Sequence, residues 1–424
     1  NYFKYSNSNS NSNSISINLI ISSIIPFLIW GPFFPDLIVS ISTLIFLYYV
    51  FKNKDYYYLS NKPLLIFFSF CIYCIIISIF VAEDMMLSFE SSLFYFRIGV
   101  FSCLIWYLID RDRRILTYFY YALIVCFLAL VIDGYFQYFT KQNLLGYELS
   151  GIRVSSFFGD ELIMGSYLAR LFPLLFALFL IKKKNRFEIY FIALLFILVD
   201  ILIYMSAERS SFFLLNISTL FVIILIKEYQ KFRLITFILA IICIFILSFN
   251  SPNLSERMFK SPAESMGIIK SDKKVVIFST VHDASIKTAY NMFRDKPLFG
   301  HGPKMFRIKC KDKKYTTGKR SCLNHPHNFY VQLLAETGLI GLLFLLISLG
   351  YVLFAALRQF KGVIFKQKRP FTDYQVCLLA GIFITVWPFS TNGNFFNNWL
   401  MIIYCLPIGF YLQSVCPKMN KKDL

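Results

Sequence analysis

All four histidines of the 424-residue chain, His282, His301, His325 and His327, fall between residues 250 and 327. The densest stretch reads CLNHPHNFYVQLLAETGLIGLLF. Pro326 biases His325 toward extended backbone, and the apolar run that follows predicts a helix from about residue 328. His327 therefore stands at or near a helix N-terminus, where the dipole favours a neutral imidazole. A neutral imidazole is the form a general base requires. A bland surface role for a single histidine is the competing reading. Zinc binding by the His-x-His pair lacks a third ligand at matching spacing, so no metal or other cofactor is expected.

A second set of residues able to do chemistry is buried in apolar sequence. Arg97, Asp133, Arg170, Asp200, Arg209 and Glu336 interrupt long hydrophobic runs, and Glu208 sits at the end of one. Charges inside a membrane are costly and mark function or interhelical ion pairs. Gly338 and Gly341 lie three apart on one helix face, a spacing that lets a neighbouring helix approach closely.

The elements that position these groups follow from composition. Apolar residues make up 57% of the chain and charged residues only 16%, against about 25% charged in a soluble protein. A spanning helix needs about 20 apolar residues. Twelve such runs occur at roughly 15–30, 35–51, 63–82, 91–109, 115–139, 162–181, 187–205, 209–226, 234–249, 328–357, 374–391 and 396–415. The first is short and carries Pro26. The expected fold is an all-α polytopic membrane protein of about twelve transmembrane helices, with one long periplasmic loop before the tenth. Its divisions are a disordered cytoplasmic tail (1–14), helices one to nine (15–249), the loop (250–327), helices ten to twelve (328–415) and a second cytoplasmic tail (416–424).

The net charge of +19 would suggest nucleic acid in a soluble chain. Sorted by loop, it reads as topology. With the N-terminus inside, the short inner segments hold 22 Lys and Arg and the short outer loops only Lys141 and Arg153, so the positive-inside rule puts both termini in the cytoplasm. The 250–327 loop adds 16 more against 6 acids. In that orientation the charges within spans all fall toward the outer face. This suits an active site reached there by a lipid-borne substrate better than the midplane site of a transporter. Cys310 and Cys322 share the outer loop, where an oxidising compartment would permit a disulfide; two free thiols are the alternative. The other eight cysteines lie in or beside spans.

His327, Asn328, nine residues, Gly338, two residues and Gly341 together resemble the His-Asn-x9-Gly-x-x-Gly pattern of the O-antigen ligase superfamily. That superfamily also includes surface-polysaccharide polymerases and protein O-oligosaccharyltransferases. RDKPLFGHGPKMF resembles its Pro-Leu-x-Gly-x-Gly segment and SAERSSF its Ser-Arg element. DGYFQYF and GIRVSSFFGDELIMGSYLAR are similar to it as well, and the resemblance covers about residues 130–345.

The resemblance implies transfer of a glycan from an undecaprenyl-diphosphate carrier to an acceptor hydroxyl, inverting and without a metal, at the periplasmic face of a bacterial inner membrane. The acceptor is lipid A–core for a ligase or a second lipid-linked repeat for a polymerase, with membrane lipids as the surroundings and no nucleic acid. His327 would be the base and Arg209 a catalytic cation. Arg153, Arg97, Arg170, His325 and Asn328 would bind substrate. Many members carry an arginine where this chain has His282; Lys287, Arg294, Lys296 or His282 itself would then take its contact with the diphosphate. Glu336, about 180° round the helix from His327, reads as an ion-pair partner. A flippase for the same lipid-linked glycan is the reading from another class.

Overall fold

The computed structural model describes residues 12–269, 278–318 and 321–418. Among these residues there is no strand beyond the isolated bridges Gln142–Glu148 and Ser150–Arg153. Among the described residues, nine helical stretches are long and apolar enough to cross a membrane: Phe33–Asn53, Lys62–Phe80, Met85–Arg111, Arg114–Thr140, Met164–Ile181, Arg186–Met205, Gln230–Asn250, Phe329–Ile364 and Asn398–Val415. Three shorter apolar helices, Ile15–Trp30, Arg209–Leu225 and Asp373–Thr385, occupy the remaining positions expected from sequence. The chain is a multi-pass, all-helical membrane protein.

Departures from the expected boundaries have local causes. Helix begins at Ser12, inside the stretch read as a disordered tail, and residues 1–11 lie outside the described residues. The first span is broken at Ser23 into Ser12–Ser22 and Ile24–Trp30, because Pro26 lacks an N–H and its ring crowds the carbonyl four residues back. The span expected at 91–109 is two helices, Met85–Leu93 and Phe96–Arg111, the first capped by Asp84 accepting from Leu87 N–H at 3.0 Å. Asp373–Thr385 stops short of Pro388, since the residue before a proline avoids helical backbone.

Burial sorts the helices into an inner and an outer set. Met164–Ile181 is buried along nearly its whole length, and Asp373–Thr385 packs on it. Asn398–Val415 packs on Phe96–Arg111, closely enough that a Cβ at Gly409 would lie 2.7 Å from Ser102 O. By contrast Ile41, Leu44, Ile238, Phe245, Ile347 and Phe354 on peripheral helices are exposed. Apolar faces of this kind suit lipid tails, against which helices associate by packing rather than by the hydrophobic effect.

One of the in-span charges is spent in an ion pair between helices. Asp200 is fully buried against Arg233, from the start of Gln230–Asn250, at 3.0 Å. Thr219 and Thr236 accept further hydrogen bonds from the same guanidinium. This is an interhelical lock apart from the histidines.

The 36-residue helix Phe329–Ile364 is broken at Gly338, whose φ of 64° and ψ of −165° interrupt the turn. A break should orphan backbone groups, and leaving a buried one unpaired costs about 1–3 kcal/mol. Here they are claimed. Segment 297–302 lies along the break: His301 and Gly302 N–H donate to the carbonyls of Ala335 (3.1 Å) and Glu336 (2.8 Å). Leu339 and Ile340 N–H donate to Pro297 O and Leu298 O. Tyr73 Oη donates to the Thr337 carbonyl at 2.7 Å. A Cβ at Gly338 would lie 2.3 Å from Leu298 O, and one at Gly300 2.5 Å from the Glu336 carbonyl carbon. The glycine spacing therefore admits a strap of backbone, where the sequence suggested a neighbouring helix. At Gly341 a Cβ would strike the Thr337 side chain.

The long loop is folded onto the start of this helix. Thr280–Asp295 and Phe306–Lys309 carry Ala289, Met292 and Phe306 into a small core with Cys310, Tyr315 and Ala335. Cys310 and Cys322 are joined by a disulfide.

Candidate functional site

A cavity of about 790 Å³ opens at one end of the bundle. Three imidazoles line it. His325 and His327 precede the broken helix, and His282 arrives on Thr280–Asp295. The His325 and His327 rings are 4.1 Å apart between centroids, and those of His282 and His327 are 4.9 Å apart. His327 adopts a φ of 57°, a left-handed conformation uncommon outside glycine. It is held there from both sides: Asn392 N–H donates to its carbonyl at 2.9 Å, and Asn328 caps the helix behind it.

Burial, with the neighbouring charge of His282, pushes His327 down to about 4, the Asn392 backbone pulling the other way. His325 is depressed to about 3, first by burial and then by His327. His282 is lowered by burial and by the Arg209 charge. All three rings are thus neutral near pH 7. His301, the fourth histidine, is elsewhere: its Nε2 meets Met292 O at 3.0 Å and its ring packs on Tyr315 in the small loop core. Among the described residues no group of three or more His, Cys, Asp and Glu side chains has metal-holding geometry.

Four guanidiniums share the cavity: Arg153, Arg170, Arg209 and Arg257. None of these four is in an ion pair among the described residues, unlike Arg97, Arg114 and Arg233. Backbone carbonyls fix them instead. Arg153 donates to Ser206 O and Leu162 O, Arg209 to Arg257 O at 2.8 Å, and Arg257 to Ala207 O. Such tethers orient a cation without neutralising it. Arg170, 3% exposed, donates to Asn392 Oδ1 at 2.9 Å and lies 3.6 Å over the Tyr404 ring. Its Nε and Nη1 are buried without a partner. Burial, with Arg257 and Arg209 nearby, lowers Arg153 from the ordinary arginine value while Glu208 opposes the shift.

The Glu208–Arg209 dipeptide divides its labour. Glu208 accepts from Gly165 and Ser166 N–H at 2.6 and 3.0 Å, capping Met164–Ile181, and this aims Arg209 at the cavity. Asp133 is a brace as well, accepting from Leu144 N–H and Ser156 Oγ in the loop that carries Arg153.

Several residues expected in the site lie outside it or serve it indirectly. Arg97 forms a two-pronged pair with Asp36 and also donates to Ser40, so its charge is spent in a helix–helix contact. The Asn328 side chain is committed, accepting from Tyr330 and Val331 N–H and donating to Pro388 O and Ser390 O. It positions His327 and has no donor left for substrate. Glu336 is in no ion pair among the described residues. It accepts from Phe306 N–H at 3.0 Å and from Gln332, which also binds Asn394. Asn328, Gln332 and Glu336, four apart, form a polar stripe that fastens two loops to one helix face. Of the substitutes proposed for the missing loop arginine, only His282 lines the cavity. Lys287 pairs with Asp283, and Arg294 and Lys296 are not in the lining.

The sequence reading missed Arg257 and the wall Ser390–Gly393 with Tyr404. Arg257 is one of 16 basic residues in its loop, with no spacing to mark it. The asparagine-rich run STNGNFFNN was the available signal for the wall.

A pocket of guanidiniums in no ion pair among the described residues, beside neutral imidazoles in a multi-pass helical protein, is suited to holding an anion. Residues 192–346, rather more than a third of the chain, match the family model described as O-antigen ligase, which supports the likeness to that superfamily. No curated protein matches the sequence. The matched stretch contains the Ser-Arg element, the glycine strap, the histidines and the break at Gly338, while Arg153, Arg170 and the 390–393 wall come from outside it.

Proposed function

We propose that this cavity binds the diphosphate of an undecaprenyl-diphosphate-linked glycan and transfers the glycan, with inversion, to the hydroxyl of a lipid A–core acceptor. The observation that carries the reading is the set of four arginines around His327, none of them in an ion pair among the described residues. In the reaction the bond from the anomeric carbon to the phosphate oxygen breaks, and a bond to the acceptor oxygen forms on the opposite face. His327 takes the acceptor proton, and the electron pair leaves with the diphosphate. Charge grows on that leaving group, so preorganised cations in a dry site stabilise the transition state more than the ground state. Guanidiniums suit the work because they meet phosphate oxygens with paired donors. No metal is needed for charge that arginines already neutralise.

A base depressed to about 4 is neutral but weak. The bound diphosphate corrects this, because an adjacent negative charge favours the protonated form. His327 then gains basicity only when the donor is present, which couples proton removal to donor binding.

The excess of Lys and Arg in the short inner segments, 22 against 2, supports cytoplasmic termini and a site facing the periplasm of a bacterial inner membrane. The loop, with 16 basic and 6 acidic residues, suits a phosphorylated acceptor, which favours ligase over polymerase. Reconstitution with a defined lipid-linked glycan, offered either lipid A–core or a second lipid-linked repeat, tests the choice. Product on the first alone is expected. Product on the second alone makes the protein a polymerase, and glycan crossing the bilayer without product makes it a flippase.

A further inference from the structure

A second, larger cavity of about 1010 Å³ lies beside the first. The two share Ile163 and have a common wall: residues 390–393 line the arginine cavity and Asn394, Phe396, Asn397 and Asn398 line the other. None of the arginines or histidines of the first cavity lines the second.

The chemistry of this lining is different. Trp30, Tyr147, Phe157 and Trp399 supply aromatic faces, and Asn397 and Asn398 supply carboxamides. Trp30 and Phe33 at the mouth are 75% and 68% exposed, as expected of an aromatic belt at a membrane surface. Trp399 is 8% exposed, with its indole N–H donating to Leu28 O, so a belt does not account for the interior. Of the charged residues, Asp36 is neutralised by Arg97 and Glu161 is exposed. Lys304 and Arg307 are half-buried and in no ion pair among the described residues. Arg307 Nε is buried without a hydrogen-bond partner. Lys304 is held in a left-handed conformation, φ 60°, and burial together with Arg307 lowers its pKa, while Glu90 and Glu336 oppose the shift. Two half-buried cations held close together on one cavity wall, neither in an ion pair among the described residues, suit an anion.

We infer that this second cavity is a separate glycan-binding site, selective for sugars carrying an anionic substituent, carboxylate or phosphate, recognised by Arg307 and Lys304 among aromatic stacking faces. Resting on the transferase reading, it is the seat of the acceptor. The acceptor approaches His327 across the 390–398 wall while the donor diphosphate occupies the arginine cavity. The apolar mouth admits an amphiphile from the bilayer, and the polar interior holds its sugars.

The test uses the full chain in lipid nanodiscs and does not depend on turnover. Two of the four tryptophans, Trp30 and Trp399, line the cavity, so intrinsic fluorescence reports occupancy. The protein is titrated with an oligogalacturonate, with a neutral galacto-oligosaccharide of equal length and with inorganic phosphate. The oligogalacturonate should bind tightest, and Arg307→Gln and Lys304→Gln should each weaken it about tenfold, the worth of one charge-assisted hydrogen bond, with melting temperatures near wild type. Equal binding of the neutral sugar, competition by phosphate alone at equal strength, or unchanged affinity in both stably folded variants would overturn the proposal. Protein that binds as expected but transfers no glycan contradicts the transferase reading alone. Protein that transfers glycan but shows no acidic-sugar selectivity contradicts only this site.

Discussion

The backbone N–H of Asn392 donates to the carbonyl of His327 at 2.9 Å, while the Asn392 side-chain oxygen accepts from Arg170, also at 2.9 Å. One residue thus sets the histidine's left-handed backbone and orients the most buried guanidinium of the site. Replacing it by alanine should leave the backbone bond and release Arg170. Misplacement of a catalytic group by about 1 Å can cost 100-fold in rate, so Asn392→Ala should lower kcat by about 10–100-fold with little loss of folded protein. Asn392→Asp should instead raise the donor KM, because a carboxylate beside Arg170 competes with the diphosphate. Steady-state kinetics on both variants check this pair of effects.

Gly338 and Gly350 lie in one helix and predict opposite outcomes. At Gly338 alanine meets Leu298 O and a φ of 64°, and such backbone strain costs about 1–3 kcal/mol before the clash is counted. Gly338→Ala should lower the melting temperature sharply or abolish insertion. At Gly350 a Cβ meets nothing within 4 Å, so Gly350→Ala should be neutral or stabilising by up to about 1 kcal/mol. Thermal unfolding of the two purified variants compares them directly.

Much of this arrangement was legible in sequence, and most of the exceptions share a cause. Hydrophobic run length found the apolar helices, with ends off by up to about seven residues, because lipid imposes the same rule along the whole chain. His325, His327 and Arg209 stood out because their neighbours are apolar or carry a pattern. Asn328 was recognised but misassigned: its place before the helix reads equally as a cap, and only the fold shows its N–H groups committed to the 388–390 carbonyls. Arg97 and Asp200 read as functional charges because their partners, Asp36 and Arg233, lie 61 and 33 residues away. Arg257 was hidden among the basic residues of its loop, and the 390–398 wall had only its run of asparagines to mark it. Long-range pairing, unlike hydrophobicity, leaves no local trace.

The histidines predict a pH response with a definite sign. An unfolded imidazole titrates near 6.5, whereas His327 and His325 in the fold are depressed to about 4 and about 3. Between those values the unfolded chain binds more protons, so folded stability falls as pH drops from about 6.5 toward 4, and there is no penalty above 6.5. The double variant His325→Asn, His327→Asn should flatten this part of the melting-temperature profile. Activity should follow the folded form: kcat/KM, which reports the free enzyme, should stay level from pH 8 down to about pH 5.5.

Arg209 and Arg257 are linked, the first donating to the backbone of the second and the second to the backbone of Ala207. Each is expected to contribute like an oxyanion-hole donor, about 100–1000-fold in kcat. Arg209→Ala and Arg257→Ala should both fall in that range, with the double variant well short of the product because the two act as a unit. Arg209→Lys should recover only a small part, since an ammonium cannot supply paired donors. Full activity in Arg209→Lys would argue against paired binding of phosphate.

The central claim is that His327 removes the acceptor proton. The most direct measurement is product formation by His327→Ala in proteoliposomes holding a defined undecaprenyl-diphosphate-linked glycan and its acceptor, with donor binding and melting temperature followed on the same preparation. The account predicts no transfer from a folded, inserted protein that still binds the donor. Wild-type rates of product from that variant would contradict it.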